Sequence, residues 1–170
     1  MTIGFKKLKE EDLPLMFKWL NTQHVVEWYE KKTSTFDEIK VKYMPRITGA
    51  EPTKPFLVVA DQVPIGYIQE YYVSDDPDLK PYIKGNFAGL DLFIGDSAYL
   101  NRGLGTQILR EFLKQVVFRE TEIDGCLVDP SLDNKRMIRA NEKAGFKHLT
   151  TTTGQDPKYL MVIHREEVVS

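Results

Sequence analysis

Only one cysteine, Cys126, occurs in the 170 residues, so no internal disulfide can form and a reducing compartment is the expected setting. Its place in the strand-like run Gly125-Cys126-Leu127-Val128 reads as a buried, inert thiol. Histidine is sparse too. His24, His148 and His164 are scattered without cysteine or acidic partners at ligand spacing, so no metal site is expected. Nothing has the form of a nucleophile elbow, which leaves Ser-His-Asp chemistry without support. No apolar run reaches the roughly 18 residues of a membrane helix, and Met1 to Lys9 lacks the apolar stretch of a signal peptide. The expected location is cytoplasmic, with no membrane partner. Charge of one sign is also lacking. The formal net charge is −2, and Lys6, Lys7 and Lys9 are followed at once by Glu10, Glu11 and Asp12. That mixture reads as a solvated face and argues against a nucleic-acid partner.

What remains is a sequence of ordinary globular composition and a length that fits one domain, residues 1–170. The patterning predicts a strand over Thr2–Leu8 and a helix over Glu11–Leu20, with Leu13, Phe17 and Leu20 three and four apart. Residues 21–32 show little periodicity. Thr35-x-x-Glu38 has capping-box spacing and predicts a second helix from Thr35 to near Pro52. Pro55–Ala60 and Ile65–Val73 read as strands turned back on each other at Asp61-Gln62. Ser74–Gly85 reads as a loop and Phe87–Ile94 as a strand. A helix follows with an apolar stripe of Leu104, Ile108, Leu109, Phe112, Leu113, Val116 and Val117. Ile123–Val128 is a strand, Asp133–Ala144 a helix closed by Gly145, and Phe146–Thr153 and Tyr159–His164 the last strands. The class is α/β (α+β), a mixed, mostly antiparallel sheet flanked by helices.

The most informative segment is Tyr99-Leu100-Asn101-Arg102-Gly103-Leu104-Gly105-Thr106, which runs from a strand into a helix. Glycines let backbone approach a ligand, and a helix N-terminus offers unpaired N–H groups and a positive dipole end, so this is a phosphate-binding arrangement. A Walker loop is excluded because Gly-Lys-Ser/Thr is absent. A dinucleotide fingerprint is excluded because Ile108 stands where its third glycine belongs. A short pyrophosphate cradle with Arg102 as an added cation fits, beside the plainer reading of a turn that merely needs glycine.

The run Asp129 to Phe146, with Asn134, an arginine and Glu142-Lys143-Ala144-Gly145-Phe146 at the helix end, resembles the closing motif of the GNAT superfamily of N-acetyltransferases. His24-Val25-Val26-Glu27-Trp28, Pro64-Ile65-Gly66-Tyr67-x-Gln69-x-Tyr71 and Gly89-Leu90-Asp91 resemble elements of one branch, the aminoglycoside 6'-N-acetyltransferases. The resemblance extends from about residue 10 to residue 165. It implies acetyl-coenzyme A as cosubstrate and direct attack of an amine on the thioester. By the same resemblance, Asn101, Arg102, Gly103, Leu104, Gly105 and Thr106 hold the coenzyme pyrophosphate. Phe93, Ile94 and Gly95 pair with the pantetheine arm, and Asn134 also contacts the coenzyme. Asp91 is the candidate base. Where the family carries a tyrosine acid, this sequence has Asn141, and Tyr99 or a water is the substitute donor.

The acceptor is expected to be a small-molecule amine. Aminoglycosides are polycations, and Glu27, Trp28, Tyr29, Gln69, Glu70, Tyr71 and Asp91 are the candidate substrate-binding residues, with further charge from Asp75, Asp76 and Asp78. Lys80 and Lys84, where resembling enzymes carry tryptophan and glutamate, favour another acceptor: a polyamine, a siderophore-type amine or a protein N-terminus. Asn141 favours a third reading, a catalytically weak acyl-coenzyme A-binding module. A monomer and a homodimer are both compatible with the sequence.

Overall fold

In the computed structural model, which describes residues 1–168, the chain opens with strand β1 (Ile3–Lys7). β2 (Lys54–Ala60) and β3 (Val63–Tyr72) are joined by Asp61 and Gln62, both at positive φ (47° and 72°). Two consecutive left-handed residues match the twist of a tight hairpin, so the reversal expected at this dipeptide is present. β4 (Phe87–Ile94), β5 (Gly125–Val128), β6 (Lys147–Thr151) and β7 (Tyr159–His164) follow. Together they form a seven-stranded sheet in the order β1-β2-β3-β4-β5-β7-β6. β4 and β5 are parallel, while β1 with β2, β5 with β7 and β6 with β7 are antiparallel. The sheet is mixed and mostly antiparallel, as the sequence pattern implies.

The helices are α1 (Leu13–Leu20), α2 (Gln23–Val25), α3 (Phe36–Thr48), α4 (Leu104–Gln115) and α5 (Lys135–Ala144). Both halves of the predicted capping box form at α3: Thr35 Oγ1 accepts from the Glu38 amide at 3.2 Å, and Glu38 Oε1 accepts from the Thr35 amide at 3.1 Å. α3 ends at Thr48, short of Pro52, because Gly49 adopts φ 86° and closes it. The aperiodic stretch after α1 is ordered as α2 followed by a wide helical turn over Val26–Glu30. The expected loop Ser74–Gly85 is entered through one short helical turn, Val73–Asp75, and contains a second, Lys80–Tyr82. No helix among the described residues is long and apolar enough to cross a membrane.

The chain forms two compact units. The first comprises Met1–Gln69 and Asp91–Arg102. Its core joins Leu13, Met16, Trp19 and Leu20 of α1 to Ile39 and Tyr43 of α3, Leu57 and Tyr67 of the sheet, and Phe93. The second comprises Glu70–Leu90 and, among the described residues, 103–168. There α4 buries Leu104, Ile108, Leu109, Phe112 and Leu113. Thr106 and Arg110 of α4 donate to the Ala140 and Lys143 carbonyls of α5. A single unbroken apolar stripe makes α4 a packing helix, and α5 is pinned to it by these bonds.

Candidate active site

In the first unit a chain of hydrogen bonds ends on Asp91. Gln69 Nε2 donates to Asp91 Oδ2 at 2.7 Å. Gln69 Oε1 accepts from two donors, Arg46 Nη1 at 2.6 Å and Tyr67 Oη at 2.7 Å. Arg46 also reaches Glu51, Nε to Oε1 at 3.3 Å. Three tyrosines stand around this chain. Burial, reinforced by the fields of Tyr43 and Asp91, holds the Tyr29 hydroxyl well above the ordinary phenol range. Burial does the same to Tyr43 and Tyr67, so all three stay neutral. Phe93 packs against Tyr29 (centroids 4.8 Å) and is stacked on Tyr67 (5.5 Å). The result is a half-buried carboxylate with an aromatic surround, suited to hold a cationic amine and take its proton.

Beside it β4 ends irregularly. The amides of Gly95 and Asp96 converge on the Ile65 carbonyl at 2.8 and 3.2 Å, the bonding pattern of a β-bulge. His24 Nε2 lies 2.8 Å from the Ile94 carbonyl oxygen, and the Gly95 backbone is packed tightly under the Trp19 ring. Gly95 therefore already uses its amide within the fold. This narrows the backbone expected to pair with a pantetheine arm.

The predicted cradle has the conformation its residues suggest. Asn101 and Gly103 take positive φ (61° and 70°), and α4 starts at Leu104. Its N-cap, Gly103, supplies no side-chain cap, although a helix start leaves four N–H groups without intrahelical partners. A Cβ on Gly103 would meet no protein atom within 4 Å. An anion can therefore approach these amides closely, and the site fits a pyrophosphate. Gly103→Val is expected to weaken acetyl-coenzyme A binding about tenfold or more, because a β-branched side chain resists positive φ and covers the amides. Calorimetric titration giving an unchanged Kd would rule out the cradle.

A family model described as an acetyltransferase (GNAT) domain matches residues 9–153. This chain belongs to the GNAT acetyltransferase family. It is 32% identical to the aminoglycoside N(6')-acetyltransferase type 1 of Klebsiella pneumoniae, over 97% of this chain and 84% of that relative. The structure of AAC(6')-Ib with paromomycin and acetyl-coenzyme A superposes with a TM-score of 0.89 at 30% identity, covering 98% of this chain and 95% of that one. AAC(6')-Ib with coenzyme A and kanamycin gives 0.88 at 30% identity, covering 99% of this chain and all of that one.

The remaining sequence candidates of this GNAT acetyltransferase fall in different environments. Trp28 is 42% exposed and Glu27 is exposed, whereas Tyr29 turns inward onto Phe93. The Trp28-Tyr29 pair is thus divided between solvent and core. Successive strand residues point to opposite faces, which separates Glu70 from Gln69. Glu70 is 1% exposed and its charge, after burial, helps push the Cys126 thiol well above its ordinary range. Tyr71 lies across Gly89, whose missing Cβ makes the room. Tyr99 sits under the Arg102 guanidinium, 5.2 Å from the ring centroid. Asn134 caps α5, accepting from the Met137 amide at 3.2 Å. Asp76 accepts from the amides of Asp78 and Leu79, so it organises its own loop.

Asn141 is 1% exposed, and neither its amide nitrogen nor its oxygen has a hydrogen-bond partner in the structure. An unsatisfied buried amide costs about 1–3 kcal/mol. Arg46, Tyr43 and Glu51 were not anticipated. They lie far from Asp91 in sequence, and no local pattern marks them. Tyr67 was more legible, because it stands two residues before Gln69 in the hairpin motif. A separate cleft of about 440 Å³ in the first unit is lined by Glu30, Asp37, Glu38, Lys32, Lys42 and Tyr43 among others, and contains none of the predicted site residues. No metal-holding group of three or more His, Cys, Asp or Glu occurs among the described residues.

Proposed function

We propose that this GNAT acetyltransferase transfers the acetyl group of acetyl-coenzyme A to the 6'-amino group of an aminoglycoside. We further propose that residues 1–170 act as a single acetyltransferase domain in the cytoplasm. The observation that carries the acceptor reading is Asp91, a carboxylate held by Gln69 in a cluster with Tyr29, Tyr43 and Tyr67. A protonated amine is attracted to that half-buried carboxylate, while Tyr43 and Tyr67, both fully buried, frame it from the core. Complexes of a relative with kanamycin and paromomycin support it further.

In the reaction the amine nitrogen must first lose a proton, which Asp91 accepts directly or through water. The neutral nitrogen attacks the thioester carbonyl and the new C–N bond forms; the nitrogen then releases its second proton to solvent, and the C–S bond breaks as the tetrahedral intermediate collapses to the amide and the coenzyme thiolate. The thiolate then takes up a proton. An amide cannot supply one, so Asn141 is not that acid, and we assign the proton to Tyr99 or solvent. The amides from Asn101 to Thr106 hold the coenzyme pyrophosphate, with Asn134 as a second contact.

A second reading, another amine as acceptor, is favoured by Arg46, a cation joined to Asp91 through Gln69. Thiol release from acetyl-coenzyme A, measured with kanamycin, tobramycin, spermidine and a lysine peptide, separates the two. Turnover is expected on the aminoglycosides, with the acetyl group assigned to the 6' nitrogen by NMR. Turnover on spermidine or the peptide alone would overturn the aminoglycoside assignment.

A further inference from the structure

Gln69 combines two facts that a substrate contact would not need. Its side chain is 8% exposed, and both ends of its amide are already bonded inside the protein. The chemistry of its partners fixes which end is which. A guanidinium has only donors, so the atom facing Arg46 must be the amide oxygen. An ionised carboxylate only accepts, so the atom facing Asp91 must be the amide nitrogen. Tyr67 agrees with this order. Burial keeps its phenol neutral and able to donate, and its hydroxyl points at the same Gln69 oxygen at 2.7 Å.

We propose that Arg46 and Gln69 are positioning residues for acetyl transfer. Arg46, with Tyr67, locks the Gln69 amide in one orientation, and the locked amide holds Oδ2 of Asp91. Without Arg46 the amide can rotate and present its oxygen to the carboxylate, which repels it. Arg46 is itself well anchored. Its side chain is 13% exposed, Glu51 accepts from its Nε, and its guanidinium lies 5.2 Å from the centre of the Tyr43 ring. It comes from α3, while Gln69 and Asp91 come from β3 and β4. The helix–sheet packing of the first unit thereby sets the geometry of the carboxylate. Small displacements of a reacting group cost up to about 100-fold in rate, so the lock has a kinetic consequence.

This inference rests on the acetyltransferase reading with Asp91 as base, and its test separates the two. Gln69→Glu keeps the shape and still accepts from Arg46 and Tyr67, but has no N–H for Asp91. It is expected to lower kcat about 10–100-fold, with KM for acetyl-coenzyme A unchanged. Arg46→Met is expected to lower kcat about tenfold, and Arg46→Lys to recover most of it. In a Gln69→Leu background, Arg46→Met should have no further effect, because the residue through which it acts is gone. Wild-type kcat in Gln69→Glu, or equal losses from Arg46→Met in both backgrounds, would overturn the proposal. Wild-type protein silent on the whole amine panel would instead count against the acceptor reading. The lock is then read from the side-chain amide NMR signals of Gln69. Arg46→Met should shift and broaden them, and signals identical to wild type would overturn it. Circular dichroism of each variant identifies any that fail to fold, and Arg46→Lys and Gln69→Glu are the conservative pair that keeps the test open.

Discussion

Asp91→Asn is expected to lower turnover by about 10²–10⁴-fold while leaving acetyl-coenzyme A affinity within about twofold. The substitution is isosteric, and the asparagine oxygen can still accept from Gln69 Nε2, which lies 2.7 Å from Asp91 Oδ2 in the native protein. Fold and network should therefore survive, with no bulky group added to the aromatic cluster. What disappears is the negative charge and the basic oxygen on which the proposed mechanism relies. On the proposed function, KM for the acceptor amine should rise together with the fall in kcat, because the proposal gives one carboxylate both purposes. Steady-state kinetics paired with calorimetric titration of the coenzyme reads the two effects separately. Turnover within threefold of wild type would remove Asp91 from the mechanism, whatever happened to binding.

Gly66→Ala is expected to destabilise the protein by about 3 kcal/mol or more. A Cβ at Gly66 would lie 2.3 Å from the Phe93 carbonyl oxygen and 3.0 Å from the Ile94 Cα. Both are backbone atoms, so no side-chain rotation relieves the contact. The strand end must move, and it is already fixed by the Gly95 and Asp96 amides on Ile65 and by His24 near the Ile94 carbonyl. In a protein of this size, 3 kcal/mol corresponds to a fall in Tm of roughly 6–12 °C. Urea titration followed by circular dichroism would measure it directly. A midpoint within error of wild type would mean that β4 yields at Phe93 more easily than its bonding indicates. Activity should also fall, since Phe93 packs edge-to-face with Tyr29 and is stacked on Tyr67.

Signals carried by neighbouring residues were legible in the sequence. The Thr35–Glu38 box, the Asp61-Gln62 turn, the α4 stripe and the Gly145 stop each depend on the backbone within one or two turns. Each forms in the structure. Where a second local feature competed, the boundary moved: Gly49 ended α3 before Pro52 could. The stretch from 21 to 32 was opaque because its order comes from packing. Val25 enters the core and Tyr29 meets Phe93, some sixty residues away, and no short-range pattern encodes that meeting. The candidate site divides in the same way. Asp91 and Gln69 stood out within the motifs of the resemblance. Arg46, held in place by Glu51, Gln69 and the Tyr43 ring, had no motif of its own.

By itself, the sequence determined the family, the sheet class, the helix and turn signals and the glycine turn ahead of α4. These follow from side-chain periodicity, caps and φ preferences, which act between residues close along the chain. Only the tertiary structure decided which candidate groups meet. It turned Tyr29 inward and left Trp28 outside, committed the Gly95 amide to Ile65, buried Glu70 beside Cys126, and tied Arg46 through Gln69 to Asp91. The physical reason is range. Hydrogen bonds and burial act over a few ångströms between residues that only the folded chain brings to that distance, and the roles of these groups are set by those partners.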